Sequence, residues 1–518
     1  MSLKWTPTWL GNPGLCKLNF LLSLVLLSSA YQGFDNTMMS GLQSIPSWQE
    51  DMKNPRGAIL GLLNSVQNVG AIIALPSVPI LVDRLGRRHS LAFGAGVLLV
   101  AGVLQGTAFS VAQFIVARFL IGFGLAFTIV ASPLLLVELA LPQHRGVIMG
   151  LFPTVYYVGS ISAAWIIYGT NSMSNSWAWR IPSLLQAAPA LVQIWAIYFV
   201  PESPRWLISK GRDDKARQIL ARYHANNVLD DPIVALEYEE MKVAIVQDDH
   251  YKQQGSWKDL YQTAANRRRM IVVCFCALFI EVSGTGLVST YIHTILDSVG
   301  ITDSRTQTIF NGCISIYKFV ISTVASLYVE KAGRRPLFII STAGMLFSFI
   351  IWTILQELYS KHAEPGYARG VLAAIFLVNG FYCIGWTPLW SYPSEILTYE
   401  TRSRGVTVQT GLLHITGFFA TFVNPIGLEN AGWKYYVAYV VYTFIELVVV
   451  WYFFVETRGY TLEEVTVIFD KPDLTWKQRR NMRVTSNDIH DQIRTIRHVP
   501  KGDNVEERDT AVEAPYKG

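Results

Sequence analysis

The sequence predicts an all-α membrane protein: twelve transmembrane helices arranged as two six-helix pseudo-repeats. Three observations lead there. Only 16% of the 518 residues are charged and 51% are hydrophobic, whereas soluble chains carry about a quarter charged residues. The charge is segregated, with long apolar runs separated by short basic clusters. Three signatures also recur in order at nearly one spacing. DRLGRR at 83–88 is echoed by EKAGRR at 330–335, 247 positions on. Glu138, seven before Arg145, is echoed by Glu395, seven before Arg402, 257 positions on. PESPRW at 201–206 is echoed by VETRGY at 455–460, 254 positions on.

A helix crosses the hydrocarbon core with about 20 apolar residues, each rising about 1.5 Å. The first such run, 18–34, ends in the polar YQGFDN and reads as a retained span, not a cleaved signal. Runs 58–81 and 90–109 flank DRLGRR, 112–137 and 147–168 flank the Glu138–Arg145 stretch, and 182–201 ends at PESPRW. In the second half, 270–292 follows three arginines, 308–329 and 337–356 flank EKAGRR, 371–392 and 405–427 flank YPSEI, and 435–455 ends at VETRGY. Closed barrels are excluded, because their strands are shorter and alternate in polarity.

The predicted organisation is a six-helix bundle over 1–201, a cytoplasmic helical linker over 202–269, a second bundle over 270–455 and a cytoplasmic tail over 456–518, disordered beyond about 472. In the linker, Trp206, Ala216, Ile219, Leu220 and Tyr223 recur at helical spacing. Thr461 with Glu464 forms a capping-box start for a short helix in the tail. One set of alternate loops holds Arg84, Arg87, Arg88, Arg145, Arg267, Arg268, Arg269, Lys331, Arg334, Arg335, Arg402 and Arg404. That asymmetry places this set, and both termini, in the cytoplasm. The net charge of +5 reflects it, and no continuous basic stripe for nucleic acid is present. Cys16, Cys274, Cys276, Cys313 and Cys383 read as small packing residues instead of disulfides or metal ligands.

The matched acids and arginines are expected to form a cytoplasmic gate whose pairs break on opening. In the first half these are Asp83, Arg87, Arg88, Glu138, Arg145 and Glu202; in the second, Glu330, Arg334, Arg335, Glu395, Arg402 and Glu456. Asp83 and Glu330 sit where they can pair with the neighbouring arginines and cap helix ends.

These motifs, with GFDNTMMSG at 33–41, ARFLIGFG at 117–124, SGTGLVSTY at 283–291 and YPSEI at 392–396, cover residues 15–470. The chain resembles the sugar porters of the major facilitator superfamily, and among them the fungal lactose-permease-like (disaccharide) members. The resemblance implies a substrate site near the membrane midplane, between the two halves. Asp35 of GFD and Arg118 match the pair that similar proton symporters use for coupling. An acid that makes and breaks contact with a guanidinium can take and release a proton; a static pair joining helices one and four is the other reading.

Ionised side chains inside a membrane are costly and persist when they face a cavity or a partner. Besides Asp35 and Arg118, the spans hold Glu281, Lys318, Glu446 and the titratable His414. Hexose porters carry two glutamines before Ser-Gly in helix seven; this chain has Ile280 and Glu281, with Gly286 in place of a later asparagine. By the same counting, Lys318 falls near an expected asparagine, Pro153 on an expected glutamine, and His414 near an expected aromatic. Two readings stand for Glu281 and Lys318: an ion pair with each other, or contact with a substrate that is unusually polar or charged. Glu446 reads as structural. Trp386 and Trp390 flank Thr387-Pro388 and offer indole faces for a sugar ring. Tyr291, Tyr156 and Asn311 complete the candidate site.

The function so implied is secondary active transport, proton-coupled, of a sugar or sugar-like solute such as a disaccharide or glycoside. The alternatives are transport or export of a non-sugar metabolite on the same scaffold, and, more remotely, a nutrient sensor. No nucleophile–base set, nucleotide loop or metal set is evident, so neither an enzyme nor a cofactor is expected. The expected partners are a small-molecule substrate, protons and the lipid bilayer, with the protein monomeric in the plasma membrane.

Overall fold

A computed structural model describes residues 12–254, 256–458, 460 and 462–471. It is helical throughout these residues, and the helices make twelve passes in chain order. Span 1 is Pro13–Val25 continued by Leu27–Leu42; span 2 is Gly57–Ala74 continued by Ser77–Leu85. Spans 3, 4 and 5 are Arg87–Gly106, Val111–Leu139 and Arg145–Thr170. Span 6 is made of two short helices, Trp177–Leu185 and Ala187–Ala196. Span 7 is Ala264–Val282 continued by Thr285–Ser298, and spans 8 to 10 are Ser304–Ala332, Arg334–His362 and Pro365–Ile396. Spans 11 and 12 are Tyr399–Ala431 and Tyr435–Phe453.

The number and order of passes agree with the sequence, but four of them are interrupted where continuous runs were expected. In span 2, Pro76 lacks the amide a helix needs at that point, and the chain kinks after Ala74. In span 7, Gly284 adopts φ +90, a left-handed conformation that a side chain disfavours, and the helix restarts at Thr285. The hydrophobic pattern could not register these breaks, because it reads polarity and not backbone angles. Several spans also run past their apolar windows, since a helix can continue into its polar ends after leaving the hydrocarbon.

The repeat reappears in the packing. Spans 1 and 5, 2 and 4, 3 and 4, and 3 and 6 pack together, and so do 7 and 11, 8 and 10, 9 and 10, and 9 and 12. Each pair in the first half has its counterpart six spans later. Across the halves, span 2 packs on span 11 and span 5 on span 8. These two contacts are the same contact under the pseudo-two-fold relation, so the seam between halves is itself symmetric.

Helices Pro204–Ser209, Asp213–His224, Pro232–Gln254 and Asp259–Gln262 follow span 6. Trp206, Ala216, Leu220 and Tyr223 are buried and Ile219 partly so, on the face that their spacing predicted. His224 anchors this layer. Its Nδ1 lies 2.7 Å from Glu237 Oε2 and its Nε2 lies 3.1 Å from the carbonyl oxygen of Leu139, at the end of span 4. Both side chains are buried, so His224→Leu strands a carboxylate. Breaking such a pair costs about 3–5 kcal/mol, whereas an apolar replacement of both partners is close to neutral. Limited proteolysis of this region should therefore accelerate sharply in His224→Leu and return near normal in His224→Leu/Glu237→Met.

Helix Leu462–Asp470 docks against the start of span 7, where the Arg269 guanidinium reaches Asp470 Oδ1 at 2.6 Å. The capping residue expected there, Thr461, and the tail from 472 onward lie outside the described residues. All five cysteines are free; Cys276 and Cys383 are buried, while Cys16 and Cys313 are exposed and so do not pack as expected.

Candidate functional site: a polar cavity at the seam

The seam holds a cavity of about 530 Å³. Span 2 contributes Asn64, Gln67 and Asn68, which share one face by their i, i+3, i+4 spacing. Spans 1 and 5 contribute Gln32, Asn36, Tyr156 and Tyr157; spans 7 and 8 contribute Glu281, Ser289 and Lys318; spans 10 and 11 contribute Tyr382, Trp390, Gln409, His414 and Asn424. Side-chain amides and hydroxyls predominate, and the indole of Trp390 is 45% exposed. Most of these amides were not singled out from the sequence.

Asp35 and Arg118 meet directly, and both are buried. Asp35 Oδ1 accepts from Arg118 and also from Gln186 Nε2 at 2.7 Å, while Arg118 donates to Gln67 Oε1 at 2.5 Å. Asp35 Oδ2 is buried without a hydrogen-bond partner among the described residues. Arg118 and Gln67 line the cavity and Asp35 lies behind them. Gln186 sits at the break in span 6, so the interruption of that span places an amide on the carboxylate.

Glu281 and Lys318 both face the cavity but do not pair. The Lys318 amine donates to Ser289 Oγ at 2.6 Å, and Glu281 has no ion pair or hydrogen bond among the described residues. The ion-pair reading of these two is therefore not realised here. Tyr156 lines the cavity and its hydroxyl takes a hydrogen bond from Asn36 at 3.0 Å. His414 Nδ1 lies 3.3 Å from Asn68 Oδ1.

Two other candidates stand off the main cavity. Tyr291 is wholly buried, and its hydroxyl donates to the Thr421 carbonyl at 2.6 Å. The backbone kinks at Tyr291 itself, which turns it away from the position an unbroken helix would give. Asn311 lines a small side pocket of about 30 Å³, shared with Lys318 and Ser289. Trp386 lies on span 10, but its side chain is outside the described residues, as is that of Glu330. Glu446 is buried against Ser283, whose hydroxyl lies 2.9 Å from Glu446 Oε2.

The gate residues form two matching networks, one at the arginine-rich end of each half. Arg87 Nε reaches Glu138 Oε2 at 3.0 Å, and Glu202 Oε1 accepts the backbone amides of Arg87 and Arg88, each at 3.1 Å. Arg334 Nε reaches Glu395 Oε2 at 3.3 Å, and Glu456 accepts the backbone amides of Arg334 and Arg335 at 2.9 and 3.1 Å. Gly86 and Gly333, with φ +97 and +91, bring these loops up to the two glutamates; an added Cβ would fall 2.3 Å from Glu202 Oε2 and 2.7 Å from Glu456 Oε2. Arg145 and Arg402 reach the carbonyls of Ala140 and Leu397 at 3.1 and 3.3 Å, again in matched positions. Asp83 is a minor member: it is 60% exposed and 3.6 Å from Arg87.

These described pairs stay within one half. Hydrogen bonds between the halves lie at mid-height or toward the opposite end, such as Gln43 Nε2 to the Thr290 carbonyl at 2.8 Å and Ser304 Oγ to Asn171 Oδ1 at 2.9 Å. Among the described residues the halves are thus tied together away from the arginine end, while both networks are intact.

A model of sugar (and other) transporters matches residues 21–469. The chain belongs to the sugar (and other) transporter family. This member is 29% identical to the MFS-type transporter oryC of Aspergillus oryzae, over 84% of this chain and 82% of that one. It is 26% identical to high-affinity glucose transporter 1 of Candida albicans, over 90% and 88%. Its fold matches that of the proton:xylose symporter XylE bound to 6-bromo-6-deoxy-D-glucose, with TM-score 0.70 at 21% identity, over 88% of this chain and 99% of XylE. The family transporter is an integral membrane protein and not an enzyme, and alternating access at the seam is the mode of action that its paired halves serve.

Proposed function

We propose that this transporter moves a sugar or sugar-like solute, a disaccharide or glycoside in the finer reading, in symport with protons. The carrying observation is the seam cavity itself: amides and hydroxyls converge on a space with an exposed indole, and the Asp35–Arg118 pair lies directly behind it. Sugars are held by many neutral hydrogen bonds and by aromatic stacking on their C–H faces, and this lining offers both. A volume of about 530 Å³ leaves room for more than one sugar ring. The disaccharide subgroup rests on motif resemblance, and the Candida albicans relative is a glucose transporter. Arg118 links the cavity to Asp35 Oδ1, leaving Oδ2 to carry the proton. The basic loops support a cytoplasmic arginine end; on that reading the described geometry faces inward, and the transporter works as a monomer in the plasma membrane. The glutamate–arginine networks then serve as stiffeners of each bundle's cytoplasmic end as the halves rock.

Uptake into vesicles tests this. Labelled lactose, maltose or glucose should accumulate under an imposed inward proton gradient. Absence of all three, with movement of a charged metabolite, would favour a non-sugar substrate, the reading that Glu281 and Lys318 support. Trp390→Ala removes a stacking face worth about 0.5–1.5 kcal/mol. It should raise the apparent KM roughly two- to thirteen-fold, and an unchanged KM would remove Trp390 from the site.

A further inference from the structure

The cavity has two charged poles that a neutral sugar leaves unused. The acidic pole lies among spans 2, 7 and 11. Glu281 sits there beside Asn68 and the bare backbone of Gly417; a Cβ on Gly417 would come 3.1 Å from Glu281 Oε2 and 3.3 Å from Asn68 Nδ2. The basic pole lies among spans 1, 5, 7 and 8, where Lys318 bonds to Ser289 at 2.6 Å and opens on the side pocket with Tyr157 and Asn311. The other charges at the cavity are committed, with Arg118 to Asp35 and Gln67. Among the described residues, each pole therefore carries one charged side chain with no counter-charge of its own within ion-pair distance. Two opposite charges held apart inside the membrane are expensive unless the ligand completes both.

We propose that the cavity selects a hydroxylated zwitterion, with its ammonium on Glu281 and its acidic group on Lys318. The hydroxyls take the surrounding amides of Asn64, Asn68 and Gln409. This rests on the sugar-like reading of the same cavity and narrows it. Charge-assisted hydrogen bonds at both ends are roughly twice as strong as neutral ones, and their fixed polarity orients the solute along the seam.

Four six-carbon probes test the assignment on the purified full chain in lipid vesicles: glucose, 6-amino-6-deoxyglucose, gluconate and 6-amino-6-deoxygluconate, the last carrying an ammonium at one end and a carboxylate at the other. Binding is read by tryptophan fluorescence and transport by uptake of labelled probe. The doubly charged probe should bind at least ten-fold tighter than each of the other three. Glu281→Gln should erase its advantage over gluconate, Lys318→Gln its advantage over 6-amino-6-deoxyglucose, and Glu281→Asp should keep the preference in weakened form. The proposal is overturned if the doubly charged probe binds no tighter than glucose, or if both neutral variants keep the preference. Accumulation of glucose or lactose in that case leaves the sugar-transport reading intact. Failure of all four probes, and of lactose as well, overturns both.

Discussion

Asp35→Asn should abolish proton-driven accumulation while sparing exchange of labelled substrate across the membrane. The replacement keeps the shape of the side chain, so its Oδ1 can still accept from Arg118 and from Gln186. It removes the one oxygen of the pair left without a partner, Oδ2, as a seat for a proton. An imposed gradient of one pH unit supplies about 1.4 kcal/mol per proton, and a potential of 100 mV about 2.3 kcal/mol more. One coupled proton can thus drive a concentration ratio of several hundred-fold under both forces, and the variant should fall to about one. Exchange needs no net proton flux and should persist, provided the variant's thermal stability is unchanged. Accumulation that survives in Asp35→Asn would return the Asp35–Arg118 contact to a static tie between spans 1 and 4.

The sequence and the structure agree where polarity and spacing carry the information. The twelve passes followed from apolar run lengths, and the two glutamate–arginine networks from matched motifs whose main contacts correspond. The face of span 2 was equally visible: Asn64, Gln67 and Asn68 stand at helical spacing in an apolar run. Attention to charges passed over these amides, although an amide in hydrocarbon also needs a partner. Other parts were out of reach. Gln186 meets Asp35 only because span 6 breaks beside it, 151 positions along the chain. Tyr291 was placed by counting along a helix that breaks at Gly284 and kinks again at Tyr291. Glu281 and Lys318 have complementary charges and lie on successive spans, which suggested a pair; only the geometry of the cavity walls holds them apart.

The two end networks make the second large prediction. Glu202 accepts the amides of Arg87, Arg88 and Ser203, and Glu456 those of Arg334, Arg335, Thr457 and Arg458. Each carboxylate caps the start of a long helix and balances its positive end. Hydrogen bonds to charged groups contribute about 1.5–3 kcal/mol, so Glu202→Ala and Glu456→Ala should each destabilise the protein by about that amount. The networks lie in different halves with no shared partner among the described residues, and distant sites add to within about 0.5 kcal/mol. The double variant should therefore lose the sum of the two, measured by reversible denaturation in detergent. If the carboxylates jointly latched the halves together, the first substitution would already open the latch and the second would cost much less. A coupling energy well above 0.5 kcal/mol would thus restore the latch and contradict the picture of two separately stiffened bundles.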